Sequence, residues 1–161
     1  MILETISIVL IIIGLLILFT TSYLARQNNN FPKETRSELT NFCILIPARD
    51  ESKVIEDLLK SIKNQTKPIN MQDVYIIVES ASDPTVNIAK TYGATIFIRK
   101  KLNLKRKGYA LDECIKDLEE KKKYYNAYFI FDADNVLDKD YLKEMEKSYQ
   151  AGYDIGAGYR N

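Results

Sequence analysis

Histidine is absent from the 161 residues, and so is tryptophan. Without histidine the commonest general base and the commonest metal ligand are unavailable, so acid, base or metal chemistry must rest on carboxylates. Cysteine appears twice, at Cys43 and Cys114. Both lie inside apolar patterns, which reads as buried free thiols rather than a disulfide or a zinc pair. Charge of one sign is not in excess: 23 Lys and Arg stand against 22 Asp and Glu. A balance that close gives no global attraction to nucleic acid or to an acidic polymer. With 46% hydrophobic and 28% charged residues, the composition excludes a disordered or fibrous chain. There is no internal repeat.

The apolar residues are unevenly spread. Residues 6–24, ISIVLIIIGLLILFTTSYL, carry no charge. At about 1.5 Å per residue they match a hydrocarbon core of about 30 Å, which predicts a transmembrane helix and assigns residues 1–26 to a membrane anchor. A cleaved signal peptide is the competing reading. Against it stand Glu4 where basic residues are needed, an overlong apolar core and the lack of a small-x-small cleavage site. Arg26, Lys33 and Arg36 follow the span and no Lys or Arg precedes it, so the positive-inside rule predicts a single-pass cell-membrane protein whose soluble domain faces the cytoplasm. That reducing compartment agrees with unpaired cysteines. Residues 27–41 are polar, contain Pro32 and predict a linker, so the soluble domain is expected over 42–161.

From Phe42 onward two periodicities alternate. FCILIP (42–47), VYIIVE (74–79), TIFI (95–98) and AYFIF (127–131) are short continuous apolar runs, the form expected of parallel strands buried on both faces. Between them, Val54, Ile55, Leu58, Leu59 and Ile62 form one helical stripe, and Ala110, Leu111, Cys114, Ile115 and Leu118 form another. Asp83 before Pro84 predicts a helix start, and Asp138 is expected to cap a helix carrying Leu142, Met145 and Tyr149. Strands alternating with helices predict right-handed crossovers and an open, mostly parallel α/β sheet of Rossmann-like form.

In such sheets ligands bind beyond the carboxyl ends of the strands. Those ends are acidic here: PARDE (47–51), ESASD (79–83) and DADN (132–135). Carboxylates facing one crevice would repel each other, and a divalent cation relieves that repulsion. Mg²⁺ or Mn²⁺ takes hard oxygen ligands, often one or two carboxylates with substrate phosphate and water completing the shell. Each element also has a structural reading, as a turn or as a helix cap. A nucleotidyltransferase and a phosphoacceptor receiver domain are further α/β classes with acidic strand ends.

The motifs ILIPARDE, IIVESASDPT, KGYAL and FIFDADN, in that order, resemble the nucleotide-binding half of a family 2 glycosyltransferase of GT-A fold. The resemblance implies a nucleotide-diphosphate sugar, usually a UDP-sugar, lying across the strand ends. It implies that Ala48 and Glu51 border the nucleoside, that Glu79 approaches base and ribose, and that Lys107 lies near the nucleotide. Asp132, Ala133 and Asp134 would form the Asp-x-Asp element, with Asp132 and Asp134 serving ribose, sugar and a Mg²⁺ or Mn²⁺ ion, the metal chiefly at Asp134. The family usually carries Asp where this chain has Glu79. It also continues into an acceptor-binding half that supplies the catalytic base, and no residue of this chain is assigned that role. The expectation is therefore a membrane-anchored transferase acting on a glycan or lipid-linked acceptor in polysaccharide synthesis. The alternatives are a non-catalytic nucleotide-sugar-binding module or one half of a split enzyme, with a separate acceptor-binding half as partner. The basic run RKKLNLKRK (99–107) reads as a solvated loop, as an attraction for anionic lipid, or, at Lys107, as a diphosphate contact.

Overall fold

The computed structural model describes residues 2–27 and 35–158, which divide into two units that are considered separately. The first is helix α1 (Ile2–Gln27). Within it, Thr5–Leu24 is long and apolar enough to cross a membrane, with mean hydropathy 2.5 and no part of the span buried. Apolar side chains project on every side, and Thr20 and Thr21, near the end of the span, return their hydroxyls to carbonyls three and four residues earlier at 2.9–3.0 Å. A helix of this kind leaves no hydrogen-bonding group of those side chains unmet by the helix itself. The part of the expected linker over 28–34 lies outside the described residues.

The second unit is a three-layer α/β/α domain. Its elements are β1 (Phe42–Pro47), α2 (Ile55–Lys63), β2 (Val74–Val78), α3 (Pro84–Thr91), β3 (Thr95–Ile98), α4 (Lys107–Glu120), β4 (Ala127–Ile130) and α5 (Tyr141–Gln150), with a single 3₁₀ turn (Met71–Asp73) leading into β2. The four strands pair in parallel in the order β3-β2-β1-β4. The direction of the chain reverses across the sheet after β3, so β1 and β4, far apart in sequence, lie side by side.

Alternation along the central strands sorts the core into two faces. Ile44, Ile46, Val74, Ile76 and Val78 point to the face covered by α2, α3 and α5, where the stripe Ile55, Leu58, Leu59 and Ile62 is fully buried. Cys43, Leu45, Tyr75 and Ile77 point to the other face, under Ala110, Cys114 and Leu118 of α4. Both cysteines are free and buried, and burial pushes both thiols up, that of Cys114 to about 12. They are packing residues, not nucleophiles.

Three local expectations are modified by the tertiary structure. Only β2 is buried throughout, and β1 is buried from Phe42 to Ile46. β3 and β4 are the sheet's outer strands, which leaves Ile98 and Ile130 exposed by 43% and 48%. Packing begins before Phe42: Leu39 is 1% exposed, its amide donates to Glu146 Oε1 at 2.8 Å, and the Arg36 amide donates to the Gln150 carbonyl at 2.9 Å. The stretch 35–41, read from its polarity as linker, is thus bound along α5. Asp138 does not cap α5 directly. Its carboxylate accepts the amide of Asp140, which is the residue that precedes the helix.

Candidate functional site

The loops after β1, β3 and β4 each begin with an amide bonded to a neighbouring strand. The Ala48 amide donates to Ile77 O at 2.9 Å, the Arg99 amide to Val78 O at 2.9 Å and the Phe131 amide to Leu45 O at 3.2 Å. The loops at the carboxyl ends therefore start from fixed points, and their charged residues are mounted on the sheet rather than on mobile chain.

The β4 loop shows why an alanine separates two aspartates. Phe131 and Ala133 continue the alternation of the strand and are buried against the α2–α5 face, at 6% and 4% exposure. Asp132 and Asp134 are accordingly turned the other way, half-buried and exposed. Asn135 closes the turn: its amide donates to Asp132 O at 3.1 Å, its side-chain oxygen accepts the Asp132 amide at 3.1 Å, and its Nδ2 donates to Asp134 Oδ1 at 3.3 Å. Lys107, the first residue of α4, forms an ion pair with Asp132. The structure thus brings Lys107 to the Asp132-Ala133-Asp134 turn, through an ion pair with a residue 25 positions further along the chain.

A second cluster joins the ends of β1 and β2. Asp50 sits in the left-handed region at φ 57°, where its amide reaches Asp83 Oδ2 at 3.0 Å. The next amide, of Glu51, donates to Thr85 Oγ1 at 3.0 Å. A non-glycine residue in that region is uncommon, though Asp tolerates it better than most, and here the β2 loop holds it in place. Asp83 also accepts the Thr85 amide at 2.9 Å and so caps α3 as the sequence predicts. Burial works to raise its pKa, but hydrogen bonding by Thr85 and by the Asp50 amide outweighs this and holds the carboxyl below its ordinary value. Ala48 is buried under this loop and Glu51 is half-buried at its turn.

Glu79 lies between two arginines, with Arg49 Nε at 3.7 Å and Arg99 Nη1 at 3.6 Å. Arg99 is 6% exposed, and its Nε faces Glu113 Oε2 at 3.5 Å without a hydrogen bond between them. The acidic strand ends are therefore matched by cations from the chain itself, which the sequence pattern did not indicate. Arg49, Arg99 and Asn135 are the residues that pattern reasoning left out. Asn135 stood inside the quoted motif, whereas the arginines become partners of Glu79 only through the β1–β2–β3 pairing.

Among the described residues no group of three or more Asp, Glu or Cys converges on one point. The chain alone thus offers no cage. Asp134 is exposed, and the neutral Asn135 amide donates to its Oδ1. Such a carboxylate fits a Mg²⁺ or Mn²⁺ ion shared with phosphate oxygens and water, the arrangement these ions favour. It does not fit an ion held by protein ligands only.

Fold and site define a class: a parallel α/β domain with paired carboxylates and flanking cations at the carboxyl ends of its strands, the end at which such sheets bind ligands. Residues 43–160 match the model of the glycosyl transferase family 2, and the chain belongs to that family. Over 53 residues it is 43% identical to 4,4'-diaponeurosporenoate glycosyltransferase of Staphylococcus aureus (strain USA300), a match that covers 33% of this chain and 13% of that enzyme. The mannosyltransferase PcManGT from Pyrobaculum calidifontis, solved in complex with GDP-Man and Mn²⁺, superposes with a TM-score of 0.54 at 14% identity, over 83% of this chain and 39% of that one. The likeness to the mannosyltransferase is one of fold.

Proposed function

We propose that this chain is the donor-binding domain of a membrane-anchored glycosyltransferase, taking a nucleotide-diphosphate sugar, with UDP as the nucleotide, for transfer to a glycan or lipid-linked acceptor in polysaccharide synthesis. The observation that carries the reading is the Asp132-Ala133-Asp134 turn, locked by Asn135 and set beside Lys107, in a chain of this family.

Sugar transfer breaks the bond between the anomeric carbon and a diphosphate, and negative charge gathers on the leaving group. A divalent ion bound at Asp134, with Asp132 beside it, would supply positive charge at that diphosphate. Lys107 contributes a further cation at the same place. Its pairing with Asp132 in the free protein holds the two side chains together at the end of β4, and an arriving diphosphate competes for the ammonium. Glu79, steered by Arg49 and Arg99, is available to accept hydrogen bonds from ribose or base hydroxyl and amide groups. Ala48 is small enough to let a nucleoside approach the end of β1, and Glu51 borders that approach.

The apolar helix α1 supports the anchor, because a helix with apolar side chains on all sides is stable in lipid and costly in water. The run of basic residues after it supports a domain facing the cytoplasm, where nucleotide sugars are made available.

Thermal unfolding in the presence of UDP- and GDP-sugars, with Mn²⁺ or with a chelator, tests the donor site. At a concentration of 100 times Kd a ligand adds about 2.7 kcal/mol, or about 5–10 °C for a domain of this size. The reading expects that rise only with nucleotide sugar and Mn²⁺ together. Equal rises with chelator, or none with any donor, would contradict it.

A further inference from the structure

We propose that the turn between β3 and α4 is a docking surface for an anionic lipid bilayer. The proposal rests on the reading of α1 as a membrane span.

The turn is built, not loose. The Leu104 amide returns to Lys101 O at 3.3 Å, which places Leu102 and Asn103 at its tip. Beneath it, the buried guanidinium of Arg99 donates through Nη2 to the carbonyls of Lys101 at 3.2 Å and Leu104 at 2.6 Å. From the helix side, Glu113 Oε1 accepts the amides of Lys100 at 2.6 Å and Lys101 at 3.1 Å. Two charged side chains are thus committed to holding the backbone of one surface turn, an arrangement that a solvated connection does not need.

What that scaffold displays is an apolar tip among cations. Leu104 is turned inward and half-buried, whereas Leu102 is 47% exposed. Around it stand Lys100, Lys101, Lys105 and Arg106, all exposed, and residues 99–107 contain no Asp or Glu. Lys100 has a distant partner in Asp117 at 3.8 Å and remains 79% exposed, which leaves it weakly engaged. Lys101, Lys105 and Arg106 pair with no carboxylate among the described residues. An isolated leucine ringed by lysines has little to offer a nucleotide, whose diphosphate needs cations alone. It matches a membrane interface, where an apolar side chain enters the headgroup boundary while cations meet lipid phosphates. Only residues 28–34 separate the described end of α1 from the start of the domain, so a span in a bilayer keeps that interface close at hand.

The chain has no tryptophan, so Leu102→Trp gives the full-length protein a single indole at the tip. The protein is reconstituted into vesicles of phosphatidylcholine alone or with about 30% phosphatidylglycerol, each with brominated acyl chains. The proposal expects strong bromine quenching in the anionic vesicles and little in the neutral ones. It expects the quenching to disappear at about 1 M salt, where screening is short-ranged. Adding Lys101→Glu, Lys105→Glu and Arg106→Glu should lower the docked fraction by about five-fold or more for each cation removed. Equal quenching in both compositions, or none in either, would overturn the proposal. So would an indole emission that responds to UDP or GDP and not to lipid, which assigns the turn to the donor site. Flotation with neutral vesicles reads α1 separately. A chain that floats without quenching sinks the docking turn alone, while one that does not float sinks the span and the tether on which docking rests.

Discussion

The amino and carboxyl ends of the sheet are finished in opposite ways. At the amino ends, Tyr125 donates to Asp73 at 2.6 Å, shares a 2.9 Å hydrogen bond with Tyr75, and packs edge-on against Tyr75 and Tyr128. Asn41 holds the Tyr124 carbonyl and receives the Asn126 amide, each at 2.7 Å. Polar groups there are spent on one another. At the carboxyl ends the charges face each other at 3.5–3.7 Å across Arg49, Glu79, Arg99 and Glu113, while Asp134 stays exposed and Asp50 is held left-handed. The difference distinguishes a closed end, whose polar groups pair with one another at hydrogen-bond distance, from an open end, whose charges pair more loosely and where Asp134 stays exposed.

The comparison can be broken most severely at Arg99. Replacing it by Met leaves Glu79 with Arg49 alone and the largely buried Glu113 without its cation, and removing one partner of a buried pair costs about 3–5 kcal/mol. Chemical denaturation should show that loss, and Glu113→Gln in the same chain should recover part of it, because the orphaned charge is then gone. Next in size, Asp134→Asn should weaken Mn²⁺-dependent nucleotide-sugar binding by about 100-fold, near 2.7 kcal/mol, with an unchanged melting temperature for the free protein. A mutant that melts early while binding normally would mark Asp134 as a structural cap. At the closed end, Tyr125→Phe should do the reverse, lowering stability by about 1 kcal/mol and leaving donor affinity untouched.

The smallest effect concerns Asp83, in the loop that joins β2 to α3. Its carboxyl is held below the ordinary value, so its contribution to stability is complete above the unfolded-state pKa of about 3.9 and is lost as pH falls through the lower folded-state value. Unfolding free energies at pH 6 and pH 3 should therefore differ more in the parent than in Asp83→Asn. Equal differences would remove the carboxylate's bonds to Thr85 and Asp50 from the account of the loop.

Much of the closed architecture was legible in the sequence. Apolar stripes at helical spacing placed α2 and α4, continuous runs placed β1 and β2, and Asp83 before Pro84 placed the start of α3. The Asp132-Ala133-Asp134 turn was legible too, since alternation carries past the end of β4. What escaped was tertiary. Arg99 sat in a run of six cations and read as solvated, yet β3 pairing points it inward between two glutamates. The burial of Leu39 depends on α5, and the left-handed turn at Asp50 depends on a carboxylate 33 residues away, so neither has a local signature. The outer position of β3 and β4 follows from strand order, which hydrophobic runs do not encode.

On the function proposed above, the open end holds a divalent ion jointly with a diphosphate, because among the described residues no three carboxylates converge to hold it alone. Calorimetric titration of Mn²⁺ into the protein tests this most directly, first without and then with saturating UDP or GDP. The prediction is no measurable binding of Mn²⁺ alone, binding in the presence of the nucleoside diphosphate, and loss of that binding in Asp134→Asn. Tight binding of Mn²⁺ without nucleotide, or nucleotide-dependent binding that survives Asp134→Asn, would contradict it.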